Sequence, residues 1–328
     1  MCIRDRYYIR YSFPVVYLRI LYAKIIEVLP ATKHLATAGL RNHAEKLQTD
    51  LTIRTHALEK GMSIGGVRIG FGQQKAMGLI HDLKLYLKLG GSKRFVEECC
   101  SIIKSYIKFN EEAGANMNKV KTFFEPFCEK YEITLYDMGG IYHLFHTKIH
   151  EQQHAAFDVF SQSRYSVRDF GAAPISRESI EKALQLCERT PSACNRQSQR
   201  VHVYLNRDLK DKICHLQLGC NGFIDEMQGA ILVCSDLGCY NFQELNQAYV
   251  DGGLYAMNLM YALHYYDIAN IPLTMAHKAG YLQTILKEMN INDNEAPVLL
   301  IAIGSYKDKW KVAQSHRYPW QSYTSFDK

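Results

Sequence analysis

The chain has 328 residues, 47% hydrophobic and 22% charged, with a formal net charge of +6. It is long enough for a large core and two domains, its composition is that of a globular protein, and so small a net charge does not indicate nucleic-acid binding, which would want a clustered basic face. The ten cysteines show no zinc-type spacing and no redox CxxC pair, and no signal peptide is in view, so reduced thiols and a cytoplasmic setting are expected.

The first six residues, MCIRDR, resemble translated sequencing-adaptor read-through, so Met1 to about Arg6 is expected not to be native. Tyr7 to Leu29 reads as a basic amphipathic helix, apolar at Ile20, Leu21, Ile25, Ile26 and Val28 and interrupted by Arg10, Arg19, Lys24 and Glu27. Its longest uncharged run, Tyr11 to Leu18, falls far short of the roughly 20 residues that span a bilayer. Such a helix can lie on a membrane surface. Packing on the rest of the protein is the favoured reading.

From about Lys33 to Glu59 apolar groups recur at helical spacing: Leu35, Ala38, Leu40, Ala44, Leu47 and Leu51. Five of the 21 glycines then fall between Gly61 and Gly72. They do not form a phosphate-binding Walker loop, because no G-x-x-x-x-G-K-[ST] spacing exists. Nor does a strand precede them, as a dinucleotide fold would need. The stretch reads as an ordered turn between helices, with glycines that permit positive φ. Met77 to Leu89, Lys93 to Phe109 and Lys119 to Glu129 continue the helical pattern, so the first half is expected to be all-helical.

Ile141 to Phe160 is expected as one helix that presents His143, His146, His150 and His154 on a single face. Four ligands on one helix do not suit one ion, since the first and last lie about 16 Å apart. No cysteine or acidic residue sits at matching spacing. A polar helix–helix face is the expectation, and no metal.

After Ser161 the pattern alternates. Helices are expected over Ser176–Glu188, Asp208–Leu218, Asn241–Tyr266 and Gly280–Met289, and strands over Val201–Leu205, Gly229–Cys234, Ile271–Met275 and Val298–Ile303. This interleaving suits a mixed sheet covered on both faces. The Asn241–Tyr266 helix is apolar on most sides.

The chemistry-bearing stretch is SQSRYSVRDF, Ser161 to Phe170. On an extended backbone alternate side chains point the same way, so Arg164, Ser166 and Arg168 converge. Two guanidiniums and a hydroxyl make a receptor for a phosphate group. Alone, the motif would read as a solvated surface turn. One helix later comes TPSACNRQSQRVHVY, Thr190 to Tyr204. An R-x-S-x-R segment, a helix, then P-S-x-x-N-x-Q and a strand resembles the nitroreductase family of flavin enzymes, over the C-terminal half of the chain.

The resemblance implies an α+β fold: a nitroreductase-like mixed sheet flanked by helices over residues 155–328, preceded by an all-helical region over 1–154. It implies an FMN-dependent oxidoreductase that passes hydride from NADH or NADPH, through the flavin, to an electron-poor nitro- or quinone-like acceptor. Arg164, Tyr165, Ser166 and Arg168 would grip the FMN phosphate. Asn195 and Gln197 would touch the flavin and its ribityl chain, as amides that both donate and accept. Pro272, Leu273 and Thr274 of HYYDIANIPLTMA would bring backbone against the reactive edge. Arg317, with Lys311 as runner-up, would return to the phosphate from near the C-terminus. The family's glycines before this third segment are replaced by Asp267 and Ala269, and its Pro-Trp pair after the glutamine by Ser198 and Gln199. No catalytic side chain is implied, because the chemistry is the cofactor's. The family also implies a homodimer with FMN between subunits, with the apolar Asn241–Tyr266 helix and the aromatic tail RYPWQSYTSF facing the partner. A rival reading is a flavin-binding or flavin-free partner protein that docks through its helical first half.

Overall fold

The computed structural model describes residues 13–34, 43–217, 219–241, 244, 246–275 and 281–327. The suspected non-native start lies outside the described residues, as do Leu35, Ala38, Leu40, Leu218 and Gly280 from the ends of expected helices. In chain order the helices are α1 (Phe13–His34), α2 (Ala44–Met62), α3 (Gln73–Lys88), α4 (Lys93–Glu112), α5 (Asn118–Lys130), α6 (His146–Gln153), α7 (Phe157–Ser163), α8 (Arg177–Leu186), α9 (Arg207–Gln217), α10 (Gln247–Tyr265) and α11 (Tyr281–Glu288). The strands are β1 (Ile141–Phe145), β2 (Gln199–Tyr204), β3 (Gly229–Asp236), β4 (Ala269–Thr274), β5 (Glu295–Gly304) and β6 (Lys309–Ala313). Among the described residues no helix is long and apolar enough to cross a membrane. On α1, Phe13, Tyr17, Leu18, Tyr22 and Ile25 are exposed.

The chain divides into two compact units, residues 1–34 with 145–309, and residues 35–144 with 310–328. The expected boundary was at residue 154. The C-terminal segment belongs with the helices because β6 pairs with β1 in a two-stranded ribbon.

The helical unit packs α2 to α5 around Leu51, Leu83, Val96, Cys100, Ile103 and Tyr106. Ser92 starts α4, its hydroxyl accepting from Phe95 N at 3.3 Å. The glycine-rich stretch is an ordered turn, as expected. Gly66, Gly70 and Gly72 have φ of +59°, +72° and +71°, and Gly70 N donates to Asn110 Oδ1 on α4 at 2.8 Å.

The expected helix over Ile141–Phe160 is overturned. Residues 141–145 form β1, and two short helices follow. A strand partner some 165 residues away in sequence overrode the local pattern. His143 therefore lies on a strand, His146 and His150 on α6, and His154 just after it.

In the sheet unit the strand order is β2-β3-β5-β4. The α+β class stands, and the described pairings are antiparallel throughout, with Val201 opposite Val233, Ile231 opposite Ile301 and Leu273 opposite Leu300. Both faces of β3 are covered: Ile231, Leu232, Val233 and Cys234 are all fully buried. Leu259 and Leu263 of α10 pack with Ile231, Val233, Ile301 and Ile303. The helix comes close because residue 252 is glycine, where a Cβ would stand 2.5 Å from Val298 Cγ2.

Candidate functional site

The R-x-S-x-R segment begins where α7 ends, with Arg164 turning to φ −81°, ψ 119°. It then runs beside β4, Val167 N donating to Asn270 O at 3.2 Å. Val167 and Phe170 are buried, while Arg164, Ser166 and Arg168 are half-buried. Tyr165 is half-buried as well, and Asp169 and Phe170 are both buried, so burial does not follow the strict alternation expected of the stretch. Further on, Gly171 N donates to Ser305 O at 2.8 Å, and Asp169 pairs with Lys307. The segment is thus fixed at both ends.

Arg168 is the electrostatic exception. Burial pulls its guanidinium down to about 10. Among the described residues no carboxylate lies within ion-pair distance, and its one described bond, Nη1 to Ser166 O, is a long 3.4 Å. A desolvated cation lacking a counter-charge suits an anionic ligand.

Beneath the segment lies a polar chain that the sequence reading missed. Ser163 Oγ is 2.7 Å from His264 Nε2, and His264 Nδ1 is 2.9 Å from Tyr306 OH. Ser163 Oγ donates its proton to Phe160 O at 2.8 Å. It therefore accepts from His264 Nε2–H, and Nδ1 accepts from the Tyr306 phenol. His264 is held neutral: burial, then the Arg164 charge, push it down to about 4. The signal was a lone histidine in the apolar run of α10. Asn270 also belongs here, its amide nitrogen donating to Met260 O and Ile268 O at 3.2 and 3.1 Å. Its Oδ1 is buried and has no partner among the described residues.

Pro272, Leu273 and Thr274 lie on β4, the edge strand that the Arg164–Arg168 segment borders. Proline is tolerated there because an edge strand can spare an N–H. The chain reaches β4 through Asp267 at φ +59°. Aspartate can adopt the left-handed turn that glycine would otherwise supply, and its side chain is anchored by Gln153 Nε2 at 3.0 Å.

Asn195 and Gln197 sit on a different loop, secured to the N-terminal half of α10 and its approach. Asp251 accepts from Ala193 N at 3.1 Å, and Arg196 forks onto Glu244 at 2.7 and 2.8 Å. Three residues in this short loop, Cys194, Asn195 and Gln197, have φ of +50°, +55° and +49°. Only the asparagine is at ease there. Both amide side chains are exposed. The departure at Ser198 leaves the strand intact, since Ser198 is buried and bonded to Tyr240. No described hydrogen bond joins this loop to the Arg164 segment.

Arg317 belongs to the helical unit. Its Nη1 donates to Ser315 O at 2.7 Å, and it lines a cavity of about 310 Å³ with His56, Glu59, Glu98 and His316. Lys311 is also in that unit, 3.5 Å from Ile64 O. In the sheet unit a cavity of about 790 Å³ is lined by Phe170, Gly171, Lys210, Glu226 and Lys307 among others. None of the expected site residues lines it.

Residues 162–247 match the family model described as the nitroreductase family. No curated protein matches the chain. Among solved structures, a provisionally assigned nitroreductase from Exiguobacterium sibiricum in complex with FMN is 18% identical, with 53% of this chain and 98% of that one covered at a TM-score of 0.47. A provisionally assigned NAD(P)H:FMN oxidoreductase from Staphylococcus epidermidis is 19% identical, with 52% and 95% covered at 0.46. A nitroreductase-like protein from Streptococcus mutans is 19% identical, with 52% and 96% covered at 0.43. Likeness at this level transfers no residue role.

Proposed function

We propose that the chain is an FMN-dependent NAD(P)H oxidoreductase whose sheet unit holds the cofactor. The observation that carries this reading is Arg168: a half-buried, desolvated guanidinium without a described carboxylate, in the same pinned segment as Arg164 and Ser166. The match of residues 162–247 to the nitroreductase family supports the same reading. Arg164, Ser166 and Arg168 would bind the phosphate, with Tyr165 contributing from the same segment. Pro272, Leu273 and Thr274 would border the ring from the adjoining edge strand. The bound cofactor supplies reversible hydride acceptance, which lets NADH or NADPH reduce an electron-poor small molecule of the nitro or quinone class.

Asn195 and Gln197 would complete the site from a second copy of the chain. Their exposed amides on a strained loop support this, as does the exposed apolar stripe of Val250, Leu254 and Met257 on α10. Arg317 lies in the helical unit and is not assigned to the site. A cytoplasmic setting accords with the free thiols of the described cysteines.

The purified protein is expected to be yellow and to bleach with NAD(P)H under anaerobic conditions, then to regain colour with a nitroaromatic or quinone. Sedimentation is expected to give a dimer. A protein that takes up no FMN at micromolar concentration would remove the proposal. It would leave the rival reading, a partner protein that docks through its helices.

A further inference from the structure

The histidine face lacked an acidic partner in sequence, and the fold supplies one. Asp267 lies 121 residues beyond His146 in the chain, yet its Oδ1 and Oδ2 are 2.8 and 3.1 Å from His146 Nε2. His150 Nδ1 is 3.9 Å from the same Oδ1. One ligand atom from each of His146, His150 and Asp267 lies within 4.8 Å of the others. All three belong to the sheet unit.

We propose that His146, His150 and Asp267 bind a divalent transition-metal ion, zinc being the best match. The i,i+4 histidines rise from one face of α6, and two imidazoles with a carboxylate are a zinc donor set. Donors at 2.0–2.1 Å from a tetrahedral ion stand about 3.4 Å apart, so the observed 2.8 and 3.9 Å separations need shifts of about half an ångström. Supporting contacts already aim the ligands. Gln153, fully buried, donates to Asp267 Oδ1 at 3.0 Å, and the His146 ring stacks on Tyr306 with centroids 5.6 Å apart. Among the described residues neither lysine nor arginine pairs with Asp267, so its ion-pair partners there are the two histidines. The exposure of His150 leaves an approach from solvent, and water or Gln153 Oε1 would complete the shell.

A second cluster, His202, Cys234 and Glu295, differs in access, since Cys234 and Glu295 are both buried. His202 Nε2 bonds Glu295 at 2.6 Å, Asn292 caps the other carboxylate oxygen at 2.8 Å, and burial pushes the Cys234 thiol up to about 12.

The test uses the full chain, stripped with a chelator, dialysed and titrated with zinc against a chromophoric competitor. Wild type is expected to bind one zinc per chain and to melt at higher temperature with it. His150→Ala removes an exposed side chain, and Asp267→Asn keeps a residue that tolerates the left-handed backbone, so both should fold. Each is expected to bind at least tenfold more weakly and to lose the thermal shift, while His215→Ala on α9 behaves as wild type. The proposal is overturned if wild type shows no stoichiometric zinc or both variants keep its affinity. It is also overturned if the loss follows Cys234→Ser instead. None of these readouts depends on flavin.

Discussion

The two units treat their buried charges differently. In the helical unit each deeply buried carboxylate is answered from within. Glu59 accepts from Gly140 N at 3.1 Å and faces His56 at 3.1 Å. Asp82 takes Arg54 at 2.7 Å, and Glu97 takes Tyr136 OH at 3.0 Å. The sheet unit closes most of its charges too, Lys210 onto Ile224 O and Met227 O at 2.9 and 3.2 Å. Among the groups it leaves open are the Tyr204 hydroxyl, Arg168 and the Asn270 amide oxygen, the last on the edge strand that the Arg168 segment borders. A polar group desolvated without a partner costs stability. The open Arg168 is the group on which the proposed phosphate site rests, whereas the closed carboxylates of the helical unit read as architecture.

The largest expected effect concerns the polar chain under the open site. His264 is depressed from 6.5 to about 4 in the fold. Above pH 6.5 both folded and unfolded states are neutral and its contribution is constant. Between about 6.5 and 4 the unfolded chain takes up the proton first, so stability falls as pH falls. The full shift corresponds to on the order of 3 kcal/mol. Denaturant midpoints at pH 7 and pH 4.5 should therefore diverge less in His264→Gln than in wild type. An unchanged slope would show that the histidine is not held neutral.

Next comes Arg168→Met. Losing a charge-assisted bond to phosphate is worth about 1.5–3 kcal/mol, so FMN affinity should drop roughly 10- to 150-fold. The flavin-free variant should melt no lower than wild type, because no ion pair is lost. Arg177→Ala, on an exposed i,i+4 pair with Glu181 at 2.8 Å, should change neither quantity. Equal flavin loss in the two variants would erase the distinction between the open and closed charges.

The smallest effect tests the closed side. Glu59→Ala strands Gly140 N and should cost about 1–3 kcal/mol of stability. It should not alter flavin stoichiometry in the protein that remains folded. Loss of flavin without loss of stability would mean that the helical unit is part of the site.

Local features were legible in the sequence, and distant pairings were not. Helices α2 to α5 and strands β2 to β5 follow from periodicity, because apolar spacing sets which face is buried. The R-x-S-x-R segment could be picked out because its residue spacing is local, whereas the way its side chains are buried depends on the strand beside it. Strand β1 was not, since Ile141–Phe145 becomes a strand only against 309–313. The same pairing places Arg317 with the helices, a result that no spacing near the C-terminus could give. His264 fell inside an expected helix without being singled out, and Asp267 read as a departure from a glycine pattern. Their bonds to Ser163 and His146 cross 101 and 121 residues.

The loop carrying Asn195 and Gln197 also has a meaning for how this chain could change over time. Cys194 and Gln197 each hold a left-handed backbone at +50° and +49°, which glycine would relieve by about 1 kcal/mol per position. Single substitutions that make the fold sturdier are thus close at hand. Because relief would come from loosening the turn that presents the two amides, selection for robustness and selection for a fixed amide geometry pull on the same few residues.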